Sequence, residues 1–229
     1  MPPDSAVRIG VLFPDILGTY GDNGNAVVLE RRLRWRGLAT QIERIGVDDP
    51  VPAECDVYVI GGGEDQAQVL AADRLRSNPA LSRAVDRGAV VLAVCAGLQV
   101  LGRWFAGPRG ERYEGLGLLD VTTVARRRRI VGDITVLPDP ALLPDALTGF
   151  ENHQGATTLG RDARPLGTVL QGTGNGAGRA VDGAVQRRVL GSYLHGPVLA
   201  RNPALADLLL EWVTGAPLPA LHVPDGRKA

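Results

Sequence analysis

One segment constrains the fold of this chain more than any other, because a strongly apolar run leads directly into a cysteine with small neighbours. Residues 89–94 (AVVLAV) are all apolar, three of them the β-branched valine, and Cys95-Ala96-Gly97 follows at once. The run predicts a buried strand, and the spacing of residues 98–105 predicts a helix after it. A strand that passes into a helix through small residues turns sharply and lifts one side chain to the carboxyl edge of a parallel sheet. The segment therefore predicts an α/β fold with Cys95 at that edge.

Strands and helices alternate through the rest of the first half. Strands are predicted at residues 7–13, 40–45 and 57–60, and helices at residues 65–75 and 79–86, with an Arg-rich helix that ends at Gly37. A last helix is predicted at residues 203–213. Alternation of this kind predicts a doubly wound, mostly parallel sheet with flanking helices.

The second half contains shorter strand-like runs, which we expect to form an antiparallel extension of the same sheet. These runs are residues 118–124, 130–137, 168–170 and 187–194. No linker and no internal repeat divides the chain. We therefore expect one domain over residues 1–229, with its core at about 7–213 and a loosely held tail at 217–229.

Composition excludes several classes of protein. The 25 acidic and 25 basic side chains leave no formal net charge, which argues against a main affinity for nucleic acid or an anionic membrane. The one lysine, Lys228, does not belong to a Gly-x-x-x-x-Gly-Lys-Ser/Thr loop, so we expect no P-loop. Two cysteines are too few for a disulfide framework or a protein-only zinc site. Because no leader and no membrane-spanning run is visible, we expect a cytoplasmic protein.

Cys95 is the candidate nucleophile, since helix N-terminal amides lower the pKa of a thiol. The alternative is a small buried core residue, which we expect Cys55 to be. A thiol nucleophile needs a base, and we favour His195 because it follows the strand-like run 187–194. That placement reaches the catalytic edge if the run is parallel to the strand before Cys95. We expect His153 in a polar loop and His222 exposed in the tail.

Two glycine-rich segments have different interpretations. Gly61-Gly62-Gly63 ends the strand at residues 57–60, so it is either a tight turn or an oxyanion hole that acts with the amide of Ala96. Residues 172–178 (GTGNGAG) do not open a helix in a βαβ unit. We therefore expect a flexible turn there rather than a dinucleotide site.

The ordered motifs resemble the class I glutamine amidotransferases of the cobyric acid synthase-like branch. They are Gly61-Gly62-Gly63, Cys95-Ala96-Gly97-Leu98-Gln99 and Tyr193-Leu194-His195-Gly196-Pro197. Further segments are similar to the GatD family, the glutaminase subunits of lipid II isoglutaminyl synthases: residues 20–25, 61–66, 115–120, 132–134 and 149–153. The resemblance covers about residues 7 to 213.

By this resemblance, Cys95 attacks the side-chain amide of glutamine, and His195 accepts the thiol proton and then protonates the departing ammonia. The amides of Gly62 and Ala96 would hold the oxyanion, and Gly61 would lie beside the substrate.

The resemblance also implies two side chains for substrate handling. Arg129 would bind the α-carboxylate of glutamine bidentately, although four successive arginines, residues 126–129, are otherwise typical of a solvated loop. Gln99, one turn after Cys95, would support the substrate or the turn.

The resemblance further implies a partner. We expect no metal and no cofactor on this chain, with ATP and Mg on a Mur ligase-like synthetase subunit of the MurT type. The heterodimer would amidate the D-glutamate α-carboxyl of lipid II to D-isoglutamine in peptidoglycan synthesis, at the inner face of the membrane through the partner. The Glu that many relatives carry two residues after the histidine is absent here, so we expect an Asp or Glu of the partner to complete the triad.

Three alternatives stay open. The chain could serve cobyrinate-type amidation, or act as a γ-glutamyl cysteine hydrolase. In a different class, it could be a catalytically silent assembly subunit.

Overall fold

The computed structural model describes residues 6–107 and 109–221, so the expectations for His222 and for the end of the tail lie outside the described residues. The strands are β1 (Val7–Leu12), β2 (Thr40–Ile45), β3 (Val57–Ile60), β4 (Val90–Val94), β5 (Trp104–Ala106), β6 (Arg112–Glu114), β7 (Val121–Pro138), β8 (Leu147–Leu159), β9 (Gly167–Gln171), β10 (Val181–Asp182), β11 (Ala184–Gln186) and β12 (Val189–Ser192). The helices are α1 (Gly24–Arg34), α2 (Asp65–Ser77), α3 (Ala80–Asp86), α4 (Ala96–Leu101), α5 (Val198–Arg201) and α6 (Pro203–Thr214).

The predicted doubly wound α/β class is confirmed by the first sheet, whose strand order is β11-β12-β4-β3-β1-β2. Every neighbouring pair in it is parallel except β11 with β12. Alternate residues of the central strands face opposite sides. One set, with Ile9, Val59 and Leu92, packs with α1 and α6, and the other, with Ile60 and Val91, packs with α2, α3 and α4. Burial on both faces explains the continuous apolar runs in the sequence.

The predicted antiparallel extension needs a correction, because most of it forms a second sheet. Residues 118–124 and 130–137 contribute to one long strand, β7, which pairs antiparallel with β8 and β9 in the order β10-β9-β7-β5-β6. The run at 187–194 contains β12, which is parallel to β4. Only the short β11 extends the first sheet in antiparallel fashion. The reason is that β12 and β11 occupy the edge beside β4, so β7 and β8 satisfy their backbone groups with each other.

The helix predicted at residues 98–105 is shorter than expected. Helix α4 ends at Leu101 because Gly102 adopts an extended conformation, with φ of −68° and ψ of −177°. The chain then enters β5 in the second sheet. Among the described residues, no helix combines the length and the apolar character needed to cross a bilayer.

Gly97 allows α4 to approach β3 closely, which predicts the cost of adding a methyl group. A Cβ at this position would lie 2.8 Å from the Ile60 carbonyl oxygen and 2.9 Å from Ile60 Cγ2. We expect Gly97→Ala to lower the free energy of unfolding by about 1–3 kcal/mol, measured by urea denaturation. Gly132→Ala is the matched control, since a Cβ there meets nothing within 4 Å. Equal stability of the two variants would contradict the close approach.

Candidate active site

Parallel pairing of β4 with β12 brings Cys95 and His195 to the same edge of the sheet, as predicted. Val94 is aligned with Ser192 at the ends of the two strands, and the backbone N–H of Cys95 donates to the Ser192 carbonyl oxygen at 2.9 Å. Both side chains lie close to Gly62, which follows β3. A Cβ built there would be 2.6 Å from His195 Cε1 and 3.3 Å from Cys95 Cβ.

The backbone of Cys95 has the strained conformation of a nucleophile elbow. Its φ is 52° and its ψ is −103°, a region that residues with a side chain rarely adopt. It immediately precedes α4, so it faces the first amides of that helix. Cys95 is 8% exposed and lines an open cleft, which separates it from an ordinary core cysteine.

Cys55 differs from Cys95 in its surroundings. It is buried in the core at the start of the β3 region, and burial raises its pKa to about 12. A thiol with that pKa stays protonated near neutral pH and is a poor nucleophile. The expectation that Cys55 is an inert core residue is therefore consistent with its surroundings.

His195 is oriented by a carboxylate of this chain, that of Asp22. Its Nδ1 lies 2.9 Å from Oδ2 and 3.2 Å from Oδ1 of Asp22, and both side chains are buried. The ring of Tyr20 packs edge-to-face on His195, with 4.7 Å between ring centroids. The Nε2 atom of His195 is buried and makes no hydrogen bond of ordinary geometry with the described residues. With Nδ1 held by the carboxylate, Nε2 remains for the thiol side of the site.

The sequence interpretation did not anticipate the contact of Asp22 with His195. Asp22 lies in the segment 20–25, which was used only as a family motif without a role. The available signal was an acidic side chain in a Gly- and Asn-rich loop after the first strand, at the carboxyl edge of the sheet. Asp22 occupies the position beside His195 Nδ1 within this chain, and the expectation that an Asp or Glu of the partner completes the triad stays a prediction.

The electrostatics favour a charged imidazole. Burial lowers the pKa of His195, but hydrogen bonding to Asp22 and interaction with the Cys95 thiol outweigh it and raise the pKa to about 9. The Cys95 contact is loose, since it falls outside ordinary hydrogen-bond geometry, and such bonds often tighten only with substrate. Thiol, imidazole and carboxylate in this order can perform nucleophilic acyl transfer.

The predicted oxyanion donors differ in availability. The N–H of Gly62 donates to Asp22 Oδ2 at 2.9 Å, so a role for Gly62 in holding an oxyanion requires that bond to be given up. Ala96 begins α4, where an amide has no acceptor within its own helix. Gly61 packs against Gly18 and Asp22 and is not part of the cleft lining. Its predicted place beside the substrate is therefore not seen.

Arg129 and Gln99 line the same cleft as Cys95, which has about 730 Å³ of empty space open to solvent. Arg129 is exposed and donates from Nη1 to Oδ1 of Asn152 at 2.8 Å. Gln99 is buried, accepts from Gln68 Nε2 at 2.9 Å and donates to the Tyr193 hydroxyl at 3.2 Å. The structure thus brings both candidates to the nucleophile, Arg129 on the solvent side and Gln99 at the floor.

His153 and the arginine run were expected in loops and lie in strands instead. His153 is a buried residue of β8, its Nδ1 bonds the Gly155 carbonyl oxygen at 3.1 Å, and its ring stacks on Tyr193 at 3.7 Å. Residues 126–129 belong to β7, where the pairing with β8 is irregular between Ala125 and Ile130. The ladder pairs Ala125 with Gly155 and Ile130 with His153, so it holds His153 and both ends of the arginine run, which the local polarity of the sequence did not reveal.

The segment 172–178 is a turn between β9 and β10, as predicted. Its backbone amides at Thr173 and Gly174 donate to the buried carboxylate of Glu151 at 2.8 and 2.9 Å. Burial would raise the pKa of Glu151, but the contact with His153 and these two backbone bonds together lower it. Within residues 6–107 and 109–221, no group of three or more His, Cys, Asp or Glu side chains is arranged to hold a metal ion.

Comparisons with known proteins agree with this geometry. A family described as the CobB/CobQ-like glutamine amidotransferase domain matches residues 8–203. Subunit GatD of the glutamine-hydrolyzing lipid II isoglutaminyl synthase of Streptococcus pneumoniae is 36% identical over 210 residues, covering 89% of this chain and 79% of that protein. Its Staphylococcus aureus counterpart is 37% identical over 199 residues, covering 86% and 80%. A crystal structure of a glutamine amidotransferase has the same fold, with a TM-score of 0.58, 20% identity and coverage of 90% and 98%.

The raised pKa of His195 predicts a loss of stability at alkaline pH. Its ordinary pKa is 6.5 and its folded-state pKa is about 9, so the stabilisation is complete below pH 6.5 and is lost as the pH rises through 9. We expect the stability advantage of the wild type over His195→Gln to shrink by about 2–3 kcal/mol across that range, measured by urea denaturation. An advantage that stays constant with pH would show that the charged imidazole is not favoured.

Proposed function

Since this chain belongs to the CobB/CobQ-like glutamine amidotransferase family and hydrolyses glutamine, we propose that Cys95 is its nucleophile and that the released ammonia serves a separate synthetase subunit. The observation that carries this proposal is the strained elbow of Cys95 beside the buried pair of His195 and Asp22.

The residues of the site account for each step of hydrolysis. The proton shared by Cys95 and His195 is held at Nε2 of the imidazole, as its raised pKa favours, so Cys95 is a thiolate and its sulfur attacks the side-chain carboxamide carbon of glutamine. The amide of Ala96, joined by that of Gly62 once its bond to Asp22 is released, holds the developing oxyanion. His195 then returns the proton to the leaving nitrogen, and ammonia departs as a γ-glutamyl thioester forms. Water, deprotonated by His195, attacks the thioester carbon, which releases glutamate and restores the thiol.

Arg129 is the proposed anchor for the α-carboxylate of glutamine. It lines the cleft at the solvent side, where an amino acid would present its backbone groups while its amide reaches Cys95. The guanidinium forms two parallel bonds to a carboxylate, which gives orientation as well as affinity. Gln99 is held by Gln68 and Tyr193, so its proposed role is to shape the floor of the cleft beneath the carboxamide.

Arg129→Ala is expected to raise KM for glutamine by roughly 10–100-fold with little change in kcat, because ground state and transition state share the lost bonds. The measurement is the rate of glutamate release against glutamine concentration. Arg127→Ala is the matched control, since Arg127 is an exposed arginine of the same strand outside the cleft. Equal KM values for the two variants would refute the assignment.

The proposed partner is a Mur ligase-like subunit of the MurT type, which would bind ATP and Mg. The two GatD relatives support a separate synthetase subunit, since each is a glutamine-hydrolyzing subunit of a lipid II isoglutaminyl synthase. The acceptor would be the D-glutamate α-carboxyl of lipid II, which becomes D-isoglutamine during peptidoglycan synthesis. We accordingly propose a heterodimer in the cytoplasm that meets its lipid-linked acceptor at the inner face of the membrane through the partner.

The three open alternatives receive less support. A silent assembly subunit has no need of a strained cysteine beside a buried His–Asp pair, a conformation that costs of order 1–3 kcal/mol. Cobyrinate-type amidation would use the same glutaminase chemistry with another synthetase. Two GatD relatives align with this chain over 79% and 80% of their own length, which favours the lipid II acceptor. A γ-glutamyl cysteine hydrolase would need no synthetase at all.

The decisive experiment combines capture of the partner with two nitrogen sources. The tagged chain is purified from its own cells, and the Mur ligase-like chain is expected to copurify; a cobyrinate-type synthetase would replace the proposal. The complex is then assayed for lipid II amidation with ATP and either glutamine or ammonium chloride. We expect Cys95→Ala to lose amidation from glutamine by roughly 10⁴-fold or more and to keep it from ammonium. Cys55→Ala, the control at the buried cysteine, is expected to use both.

A further inference from the structure

We infer that Tyr20 is a positioning residue that joins the substrate anchor to the catalytic base. The inference rests on the proposed roles of Arg129 and His195. It goes beyond those roles, because the placing of the substrate and the placing of the base would then depend on one side chain. Tyr20 lines the cleft that contains Cys95, and the proposed reaction steps do not use it.

The hydroxyl group of Tyr20 is connected to Arg129 through the amide of Asn152. Asn152 Nδ2 donates to the Tyr20 hydroxyl oxygen at 2.6 Å, and Asn152 Oδ1 accepts from Arg129 Nη1 at 2.8 Å. Because a guanidinium can only donate, Oδ1 must face Arg129 and Nδ2 must face Tyr20. The bond to Asn152 uses one of several N–H groups of the guanidinium. The others can meet a carboxylate while the arginine is held in place.

The ring of Tyr20 packs against the catalytic base. It lies edge-to-face on the ring of His195, with 4.7 Å between centroids and an interplanar angle of 64°. Edge-to-face contacts of this kind are favourable beyond the area they bury. The bond between His195 Nδ1 and Asp22 fixes one point of the imidazole. The Tyr20 ring limits the tilt of the imidazole about that point.

Strand β8 holds the base and the anchor in one frame. The carbonyl oxygen of Phe150 accepts the backbone N–H of His195 at 2.8 Å. Asn152 lies two residues further along β8, on the same face as Phe150. Arg129 belongs to β7, the strand that pairs with β8. Tyr20, from the loop after β1, therefore connects the second sheet to the base at the edge of the first.

Backbone bonds fix the place of Tyr20 without help from its side chain. The N–H of Gly18 donates to the Gly62 carbonyl oxygen at 2.7 Å, and the N–H of Gly21 donates to the Gly18 carbonyl oxygen at 3.1 Å. Residues 18–21 thus form a tight turn on the end of β3, with Tyr20 at its third position. Gly21 has a φ of 79°, which favours glycine. A substitution at Tyr20 should therefore leave the turn intact.

Tyr20→Phe tests the link to the anchor, because it removes only the hydroxyl group. We expect KM for glutamine to rise about 3–10-fold, since Asn152 and Arg129 lose their fixed positions, with kcat within about twofold of wild type. The matched control is the same change at Tyr113, a half-buried tyrosine outside the Cys95 cleft, which should alter neither constant. Glutamate release is measured on the full tagged chain as purified from its own cells, with any copurified synthetase subunit retained.

A double variant shows whether the hydroxyl acts through Arg129. Arg129→Ala has already lost the anchor, so adding Tyr20→Phe should change KM by less than about twofold. A hydroxyl with a merely structural role would raise KM by the same factor in both backgrounds.

Tyr20→Leu tests the contact with the base, because leucine keeps an apolar side chain but has no flat ring to limit the tilt of His195. We expect kcat to fall about 3–10-fold below that of Tyr20→Phe. The two substitutions therefore separate the hydroxyl, which acts on KM, from the ring, which acts on kcat.

Three results would overturn the inference. They are a wild-type KM in Tyr20→Phe, multiplicative effects of Tyr20→Phe and Arg129→Ala on KM, or equal kcat values in Tyr20→Leu and Tyr20→Phe. Thermal unfolding of each variant is measured first, and if Tyr20→Leu does not fold, the double variant decides. Failure of the proposed function would look different, because Arg129→Ala would then keep the wild-type KM or Cys95→Ala would hydrolyse glutamine at the wild-type rate.

Discussion

The site depends on the parallel pairing of β4 with β12. This ladder aligns Val94 with Ser192, and it continues for one bond past the strands, from the Cys95 N–H to the Ser192 carbonyl oxygen. That bond holds the cysteine in a conformation with positive φ that it would otherwise avoid. Because parallel strands end at one edge, the same pairing delivers His195 to the cysteine. A buried sheet supplies the rigidity that keeps the strained turn in place.

Close backbone approach determines which loops can reach this edge. Gly61 admits the loop that carries Asp22, Gly62 leaves room for the His195 ring, and Gly97 lets α4 pack on the end of β3. At each of these positions a Cβ would approach a neighbouring atom to 3.1 Å or less. Glycine is therefore required at these positions because a larger residue would clash with its neighbours, and not because the backbone needs a conformation that only glycine adopts. Gly61 and Gly62 follow β3, and Gly97 lies in α4, just after β4. The close packing at the ends of these two neighbouring strands therefore shapes the site.

The second sheet forms one wall of the cleft that contains Cys95 at the edge of the first sheet. Its long strands β7 and β8 cross the open side of the site and contribute Arg129 and His153 to the lining. Glu151 anchors the turn at Thr173 and Gly174, and the stack of His153 on Tyr193 ties this sheet to the end of β12. The residues that we propose for substrate binding and for chemistry are therefore divided between two sheets. The arginine that we propose for substrate binding is placed by an irregular β7–β8 ladder rather than by a free loop.

The sequence by itself determined the parallel core, the elbow at Cys95, the edge position of His195 and the turn at residues 172–178. Each of these features is predicted by the local hydrophobic periodicity or by the residue types of a turn, because burial patterns and backbone strain depend on residues close together in the sequence. Only the tertiary structure decided that β7 and β8 form a separate sheet, that His153 is buried, and that Asp22 holds His195 across 173 residues of chain. Those features arise from which edges and loops meet in space. The local sequence of a strand edge or of a short acidic side chain does not indicate which distant residue will contact it.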